Sequence, residues 1–594
     1  MLQRQRGAFI FITPVILTLI VLFTVMAVDG ARIYGVRNDL QNQANAAASA
    51  GAEATQACGG VNVSVAAMKS RALAAAQAQG FSGAAEDLDL RVGVLVPDPD
   101  SPSQLLFQEV NDIAASNAVR VLLSREESIS RLLPESVLGS ITLSASTAVR
   151  KEVRASLSAA GSTLAVHQGV LGGLLGAVFQ DPSYTLDPTS LSSLENTFVE
   201  LGEVLSLLGV DNLEDALPLG ADELAAALRE IAGNATPAGE LLDDLVGAAG
   251  ISTLQISDIL TALGDTRVPD NNPVELLGLV NSLLLNVIRE QQLLNGAALA
   301  LTNLGALPLI SAIDGNSLEV NLYVNRAPKY IFDVPARKNL DGEWEGVFYA
   351  PDISLEVIVQ AGIPPLDLLG LVKLELADLT IPLAVDLGGG SGYLSSAMCA
   401  RGVSNEVQFG MELERQLLEL GTGTIDPDTG DVVIQPIDAN IGKVSLLAGL
   451  LTIDSLLNLE AEISGGLPGE SASVMLEPDY PLYCSPQDGC SRRTYEDPGA
   501  GLSGLDLDVD VTRLALLETQ LGAVDLTPLV GLVTPLVSDL LYDVTQSLTT
   551  VLVNPLLEVL GVGVGGINVT VTAGDQSYTQ LIENVRLANE GEPL

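Results

Sequence analysis

One histidine, His167, stands in a chain of 594 residues. Any Ser/His/Asp or Cys/His nucleophile would have to use it. It sits in STLAVHQGVLGG, a stretch that reads as helix, where a single histidine is ordinarily a surface residue or a satisfied core residue. No H-E-x-x-H or G-x-S-x-G string occurs. GVGVGG at 561–566 matches G-x-G-x-x-G by count. A dinucleotide site needs a strand before that loop and a helix after it. Here a helical pattern precedes and a strand pattern follows, so the segment reads as a close-packed turn. DLGGGSGY at 386–393 lacks the Lys-Ser/Thr ending of a phosphate loop. DPDTGD at 426–431 invites a calcium reading, but Gly430 takes the fifth place where an EF-type loop needs it sixth, and Ile437 stands where the closing Glu belongs. It reads instead as a hairpin turn. Carboxylates are plentiful, yet aromatic platforms for a sugar are scarce, with Trp344 the single tryptophan. The expectation is a non-enzyme with no cofactor and no metal site.

The remaining reactive residues are four cysteines, Cys58, Cys399, Cys484 and Cys490. None forms a C-x-x-C, so zinc or thioredoxin-like chemistry has no support. CSPQDGC closes a short loop with Pro and Gly inside it, which makes Cys484–Cys490 the first candidate disulfide. Cys58–Cys399 is the pair left over, and nothing local brings those two together. An even count fits an oxidising compartment.

Charge narrows the partners. There are 28 Lys and Arg against 74 Asp and Glu, a net charge of −46. Nucleic acid needs a basic footprint and is excluded for the bulk of the chain. Tight binding of the soluble part to anionic headgroups is excluded on the same ground. Hydrophobic residues make up 47% and aromatics only 4%, so the core must be aliphatic.

The elements that carry these residues begin with an apolar run. Residues 8–28 contain no charge, and as a helix they span roughly 31 Å at ~1.5 Å per residue, enough for a ~30 Å hydrocarbon core. A cleaved signal would be shorter and would end in a small-x-small site, whereas Met26-Ala27-Val28 runs into Asp29. The expectation is an uncleaved anchor. Pro14 lies near its start, where a missing N–H costs least. Arg4 and Arg6 precede the run, which favours a cytoplasmic N-terminus. Ile33, Val36, Leu40, Ala44 and Ala47 then keep helical spacing, so the helix is expected to leave the membrane at Asp29 and continue to about residue 57.

These residues resemble a family. Arg6-Gly7, Pro14, Val28-Asp29, Arg32, Tyr34 and the Leu40-Gln41-Asn42 segment with its following alanines are similar to the N-terminal pattern of TadG-like (Tad/Flp, tight-adherence) pilus-assembly proteins. SNAVRVLLSR at 116–125 and ITLSASTAVR at 141–150 resemble the strand pair that closes that domain. AGSTLAVHQGVLGGLLGAVF at 160–179 and NPLLEVLGVGVGGINVTV at 554–571 more loosely resemble an uncharacterised periplasmic region that follows this anchor in related membrane proteins. The resemblance implies a single-pass bacterial inner-membrane protein linked to a Tad-like pilus, with other pilus or envelope proteins as partners. The D-x-S-x-S metal site of von Willebrand A domains, present in many relatives, does not occur here. Ile12 stands where prepilin-type processing after Gly7 would need Glu.

The pattern along the chain gives an α+β protein. Residues 1–28 form the cytoplasmic head and anchor, and 29–155 a pilin-like α+β domain with the long helix on an antiparallel sheet. Residues 156–310 read as a helical region of Gly- and Pro-punctuated segments forming a packed bundle. Residues 311–511 alternate with period two and read as antiparallel sheet with one wet face. Residues 512–594 read as helix with closing strands, the last of which joins the sheet of 311–511. The functional expectation is a periplasmic scaffold in a Tad-like pilus assembly or secretion apparatus. The alternative is a periplasmic carrier whose Leu-rich helices and sheets enclose lipid or another apolar ligand. Oligomeric state is left open.

Overall fold

The computed structural model describes residues 8–98, 101–131, 134–159, 168–181, 184, 194, 197–262, 272–301, 318–361, 366–368, 372–375, 379–400, 406–414, 418–427, 429–441, 443–446, 451–453, 457–467, 471–475, 480–481, 493–496, 506–516, 520–521, 524–525, 527–553, 556, 567–576 and 579–588. His167, the 561–566 turn, Cys484, Cys490, Arg6 and Gly7 lie outside them.

The protein is α+β, with a long N-terminal apolar helix followed by helices and antiparallel sheets. Helix α1 (Ala8–Ala52) is continuous for 45 residues and contains Pro14 in its opening turns. It is long and apolar enough to cross a membrane. Its outer half has no protein neighbour to bury against: Phe23 is 65% exposed and Leu17 61%. Its inner half is different. Leu40, Ala44, Ala47, Ala48 and Ala52 fall on one face by the 3.6-residue period and are all buried. The methyl-sized side chains let the axis lie close to its neighbours. Those neighbours are α3 (Val65–Ala78), through Met68, Ala72 and Ala76, and the first sheet, through Leu90, Val119, Val121 and Val149. The short α2 (Gln56–Gly59) turns the chain between α1 and α3. Ser64 caps α3, its hydroxyl accepting from the Ala67 N–H.

The first sheet is built from β1 (Leu88–Asp98), β2 (Ser101–Glu109), β3 (Ala118–Ser128) and β4 (Ser140–Lys151) in the order β2-β1-β3-β4, with α4 (Glu135–Leu138) at the β3–β4 tip. The β3–β4 register runs unbroken from Ala118 opposite Arg150 to Ser128 opposite Ser140. These are the two strands expected to close the domain.

Its outer edge is occupied from the far end of the chain. Thr579–Glu583 pairs with β4, and the next residues reach β2, where Phe107 N–H donates to Arg586 O and Ala588 N–H donates to Phe107 O. The last strand was expected to return to the sheet of 311–511; the strand before it does pair with a segment of that region, but the last strand does not. Asn568–Asp575 lies between Arg493–Glu496 and β5 (Arg154–Ser158), and the last strand goes to the first sheet. Val585 fills the face opposite α1, with Leu95, Phe107, Ala118 and Ala148. Period-two alternation specifies a strand but not which edge it joins.

The helices after β5 do not form a bundle of their own. Leu201–Leu208, Ala221–Ala232, Pro237–Val246 and Leu276–Asn295 share one core with a nine-stranded sheet and with the helix Thr527–Leu548. Leu276 to Ile288 is buried at every position, so this apolar stretch is a core helix. Three segments read as helix contain strand, one of them at Leu299–Leu301, which pairs with Glu319–Arg326. Phe198–Glu200 pairs with Pro273–Glu275, and Leu260–Ala262 runs parallel to Tyr330–Pro335. In all three, tertiary pairing overrides a weak local preference. At 506–516 the strand continues to Leu516, past the expected start of helix, before Thr527–Leu548 begins.

Candidate functional site: the α1 stem and its fastenings

The residues singled out in the N-terminal motif fall at the places where α1 is tied to the rest of the protein. Asp29 is buried and Arg32 half-buried, one turn apart. The Arg32 guanidinium donates to Glu127 Oε2 at 2.9 Å and to the Ser128 carbonyl. The Arg131 N–H donates to Asp29 Oδ1 at 3.4 Å. Arg125 completes the set with a 2.7 Å contact to Glu127 Oε1. Two carboxylates, two guanidinium groups and a turn of backbone thus lock the end of the β3–β4 hairpin against α1, at the point where the apolar run ends.

Three turns further along, Gln41 Nε2 donates to Thr147 Oγ1 at 2.7 Å, and that hydroxyl donates to Asn45 Oδ1 at 2.6 Å. Asn45 Nδ2 in turn donates to Glu583 Oε1 of the C-terminal strand at 2.8 Å. Leu40 is buried beside them. Tyr34 and Asn42 point to solvent, Tyr34 being 75% exposed. The motif therefore divides by role: Asp29, Arg32, Leu40 and Gln41 hold the stem, while Tyr34 and Asn42 make no side-chain hydrogen bond among the described residues.

Past the end of α1 the chain is stapled to a second body of structure. Cys58 and Cys399 form a disulfide, with Cα atoms 4.8 Å apart across a sequence separation of 341. The Cys399 N–H donates to Cys58 O at 3.0 Å, and the Gly60 N–H donates to Ala397 O at 2.8 Å. Only glycine fits at Gly59, where a Cβ would come within 2.7 Å of the Ala54 backbone.

A third fastening was missed from the sequence. Between β4 and β5 the chain crosses from the first sheet to the second, and there Glu152 and Arg154 are fully buried. Arg154 Nη2 donates to Glu152 Oε2 at 2.8 Å, and Arg337 Nε donates to Glu152 Oε1 at 2.8 Å. Arg154 also lies 3.4 Å from Asp333 Oδ2, and Arg337 lies 2.9 Å from Glu345. Burial pushes the Glu152 carboxyl up, but the charges of Arg337, Arg154 and Arg150 outweigh it and hold it at about 2. KEVR reads in sequence as an ordinary surface strand, and its partners lie far along the chain, so no spacing signal could have found it.

Leu418–Ile425 and Val432–Ile434 pair across the 426–431 turn, as a hairpin requires. Gly430 O accepts from Ser354 Oγ at 2.8 Å, and the same hydroxyl lies 3.1 Å from Asp386 Oδ1. Among the described residues no group of three or more His, Cys, Asp or Glu could hold a metal ion. Burial, with Asp352, Asp431 and Glu419 nearby, pushes Asp386 up to about 7. A carboxyl raised in this way favours the fold when protonated. Its contribution is complete below its unfolded value near 4 and is lost as pH rises through about 7. Thermal unfolding from pH 5.5 to 8 is therefore expected to show a falling midpoint, and Asp386→Asn to flatten that fall. An unchanged slope in the variant would count against this assignment.

Two clefts among the described residues have polar groups in their walls. One of 530 Å³ is lined in part by Arg289, Gln292, Tyr323, Asn325 and Thr429. Another of 520 Å³ is lined by Arg229, Asn234, Glu240, Asp243 and Asp244. Charged and amide groups on both walls suit water better than acyl chains.

The stem and its fastenings define an α+β protein whose first helix is long and apolar enough to cross a membrane and, in its second half, packs on a folded domain. Residues 7–55 match the family model described as "Putative Flp pilus-assembly TadE/G-like". The matched segment is the stem itself, from the start of the apolar run to the turn before Cys58. No curated protein and no solved structure matches the chain.

Proposed function

We propose that the protein is a non-enzymatic, single-pass inner-membrane component of a Tad-like pilus assembly or secretion apparatus, with the bulk of the chain in the periplasm, where it scaffolds other envelope proteins. The observation that carries this reading is the division of α1. Its outer half is apolar and bare, and its inner half is buried at Leu40, Ala44, Ala47, Ala48 and Ala52. The match of residues 7–55 to a pilus-assembly family supplies the system. The Cys58–Cys399 disulfide fits an oxidising compartment. The acidic surface fits a protein that stays soluble in solution and meets partners through shape and selected contacts rather than through a charged ligand.

Two measurements test the proposal. A reporter enzyme active only in the periplasm, fused after Leu594, is expected to be active, whereas activity of a cytoplasm-only reporter at the same place would reverse the orientation. Native mass spectrometry after mild detergent extraction is expected to show bound envelope proteins. Retained lipid in place of protein partners would favour a carrier and end the scaffold reading.

A further inference from the structure

The β3–β4 hairpin ends at the level where α1 leaves its apolar run, and its tip is greasy. From Glu53, which meets Lys151, to Arg32, which meets Glu127 opposite Ile141, helix and strand run side by side. The helix covers roughly 31 Å over that interval at ~1.5 Å per residue. The strand from Lys151 back to Ile141 covers a similar distance, roughly 34 Å at ~3.4 Å per residue. The hairpin therefore keeps pace with the stem and arrives with it at Asp29, to which the Arg131 N–H donates at 3.4 Å. Beyond that contact lies α4. Val137 is 67% exposed, Leu138 42% and Ile141 41%. Ile129 N–H donates to Gly139 O at 3.2 Å, which holds the tip closed. Exposed apolar side chains clustered on a closed tip, beside the end of a membrane-length helix, have one apolar medium within reach.

We propose that the α4 tip of the β3–β4 hairpin rests in the interfacial layer of the same bilayer that α1 spans, giving the folded domain a second, non-covalent membrane contact. This inference rests on the reading of α1 as a membrane span. Val137, Leu138 and Ile141 would enter the boundary between headgroups and acyl chains, with Glu135 and Ser136 remaining in water. The partner is the lipid surface in general, because the tip mixes Arg125 and Arg131 with Glu126 and Glu135 and so has no single sign of charge to select a headgroup. The consequence is orientation. A single helix lets the domain swivel about its axis, whereas a helix plus a tip fixes which face is turned to the membrane and which to partners.

The single tryptophan makes the test direct. In a Trp344→Phe background of the full chain, tryptophan is placed at Val137, at Phe23 within the span, or at Val61, an exposed position at the other end of the stem. Each variant is reconstituted in phosphatidylcholine vesicles with or without brominated acyl chains, which quench tryptophan on contact. Loss of fluorescence in brominated vesicles is expected for F23W and V137W, with none for V61W. Quenching of F23W without quenching of V137W would overturn the tip contact and leave the span intact. Equal quenching of V61W would show the whole domain lying on the vesicle and would also overturn it. Unquenched F23W would remove the span reading, and this proposal with it.

Discussion

Glu152→Gln is expected to lower stability by about 3–5 kcal/mol, the cost of leaving buried charge without its partner. Each oxygen of the Glu152 carboxylate takes one arginine at 2.8 Å, Arg154 on one side and Arg337 on the other. The amide keeps the shape but removes the negative charge. Asp333 and Glu345 remain as anions beside Arg154 and Arg337, so the loss is large without being total. Thermal unfolding should show it as a midpoint lowered on the order of 10 °C. The pH dependence carries a second signature. A carboxyl held at about 2 when folded contributes stability that is present above its unfolded value near 4.5 and lost as pH falls from there toward 2. The variant should lack that component of acid unfolding. Replacing Glu152, Arg154 and Arg337 together with apolar residues should not rescue the loss, since Asp333 and Glu345 would then lose their arginines. A Glu152→Gln protein with an unchanged midpoint would show that water or another group compensates the arginines.

That network illustrates what the sequence could and could not show. The stem was legible because its signal is local. An uncharged run at 8–28 measures itself against a bilayer, and buried alanines at 44, 47, 48 and 52 announce a helix packed closely on something. Asp29, Arg32 and Gln41 could be picked out through the family pattern, and the structure gives them physical work as ties to β3, β4 and the β3–β4 turn. The Glu152 cluster has no such signature. Alternation in KEVR fixes that successive side chains face opposite ways, but not that both faces are covered, since the cover comes from 333–345. The same limit explains the C-terminal strand at Thr579–Glu583: its pattern is that of a strand, and its choice of β4 as partner is a long-range event. It explains too why Leu276–Asn295 ended in a core shared with the nine-stranded sheet rather than in a separate bundle. An apolar helix demands a cover without naming it.

The pairing of Cys58 with Cys399 supplies the other large expected effect. A bridge across a sequence separation of 341 closes a very long loop in the unfolded chain. Chain-entropy arguments put such a bridge at about 6 kcal/mol, and measured disulfides more often deliver about 2–4 kcal/mol. The lower range is expected here, because the two segments are held by other means as well. Gly59 and Met398 form an antiparallel bridge, and the Cys399 N–H donates to Cys58 O at 3.0 Å. Both cysteines also sit in an apolar core with Val153, Phe348 and Ile567. Cys58→Ser/Cys399→Ser should therefore still fold, but with a markedly lower midpoint, and reductant should shift the natural protein toward the variant and leave the variant itself where it is. The mechanical consequence follows from position. The bridge lies just beyond α1, so it carries the connection from the stem to the sheet that contains Ser391–Met398 when the chain is loosened elsewhere. Limited proteolysis under reducing conditions should open the segment between α1 and α3 first, ahead of the β1–β3 ladder. If reduction leaves both the midpoint and the cleavage order unchanged, the stem is held by the Arg32 and Gln41 ties and the buried alanine face alone, and the staple adds nothing to its coupling.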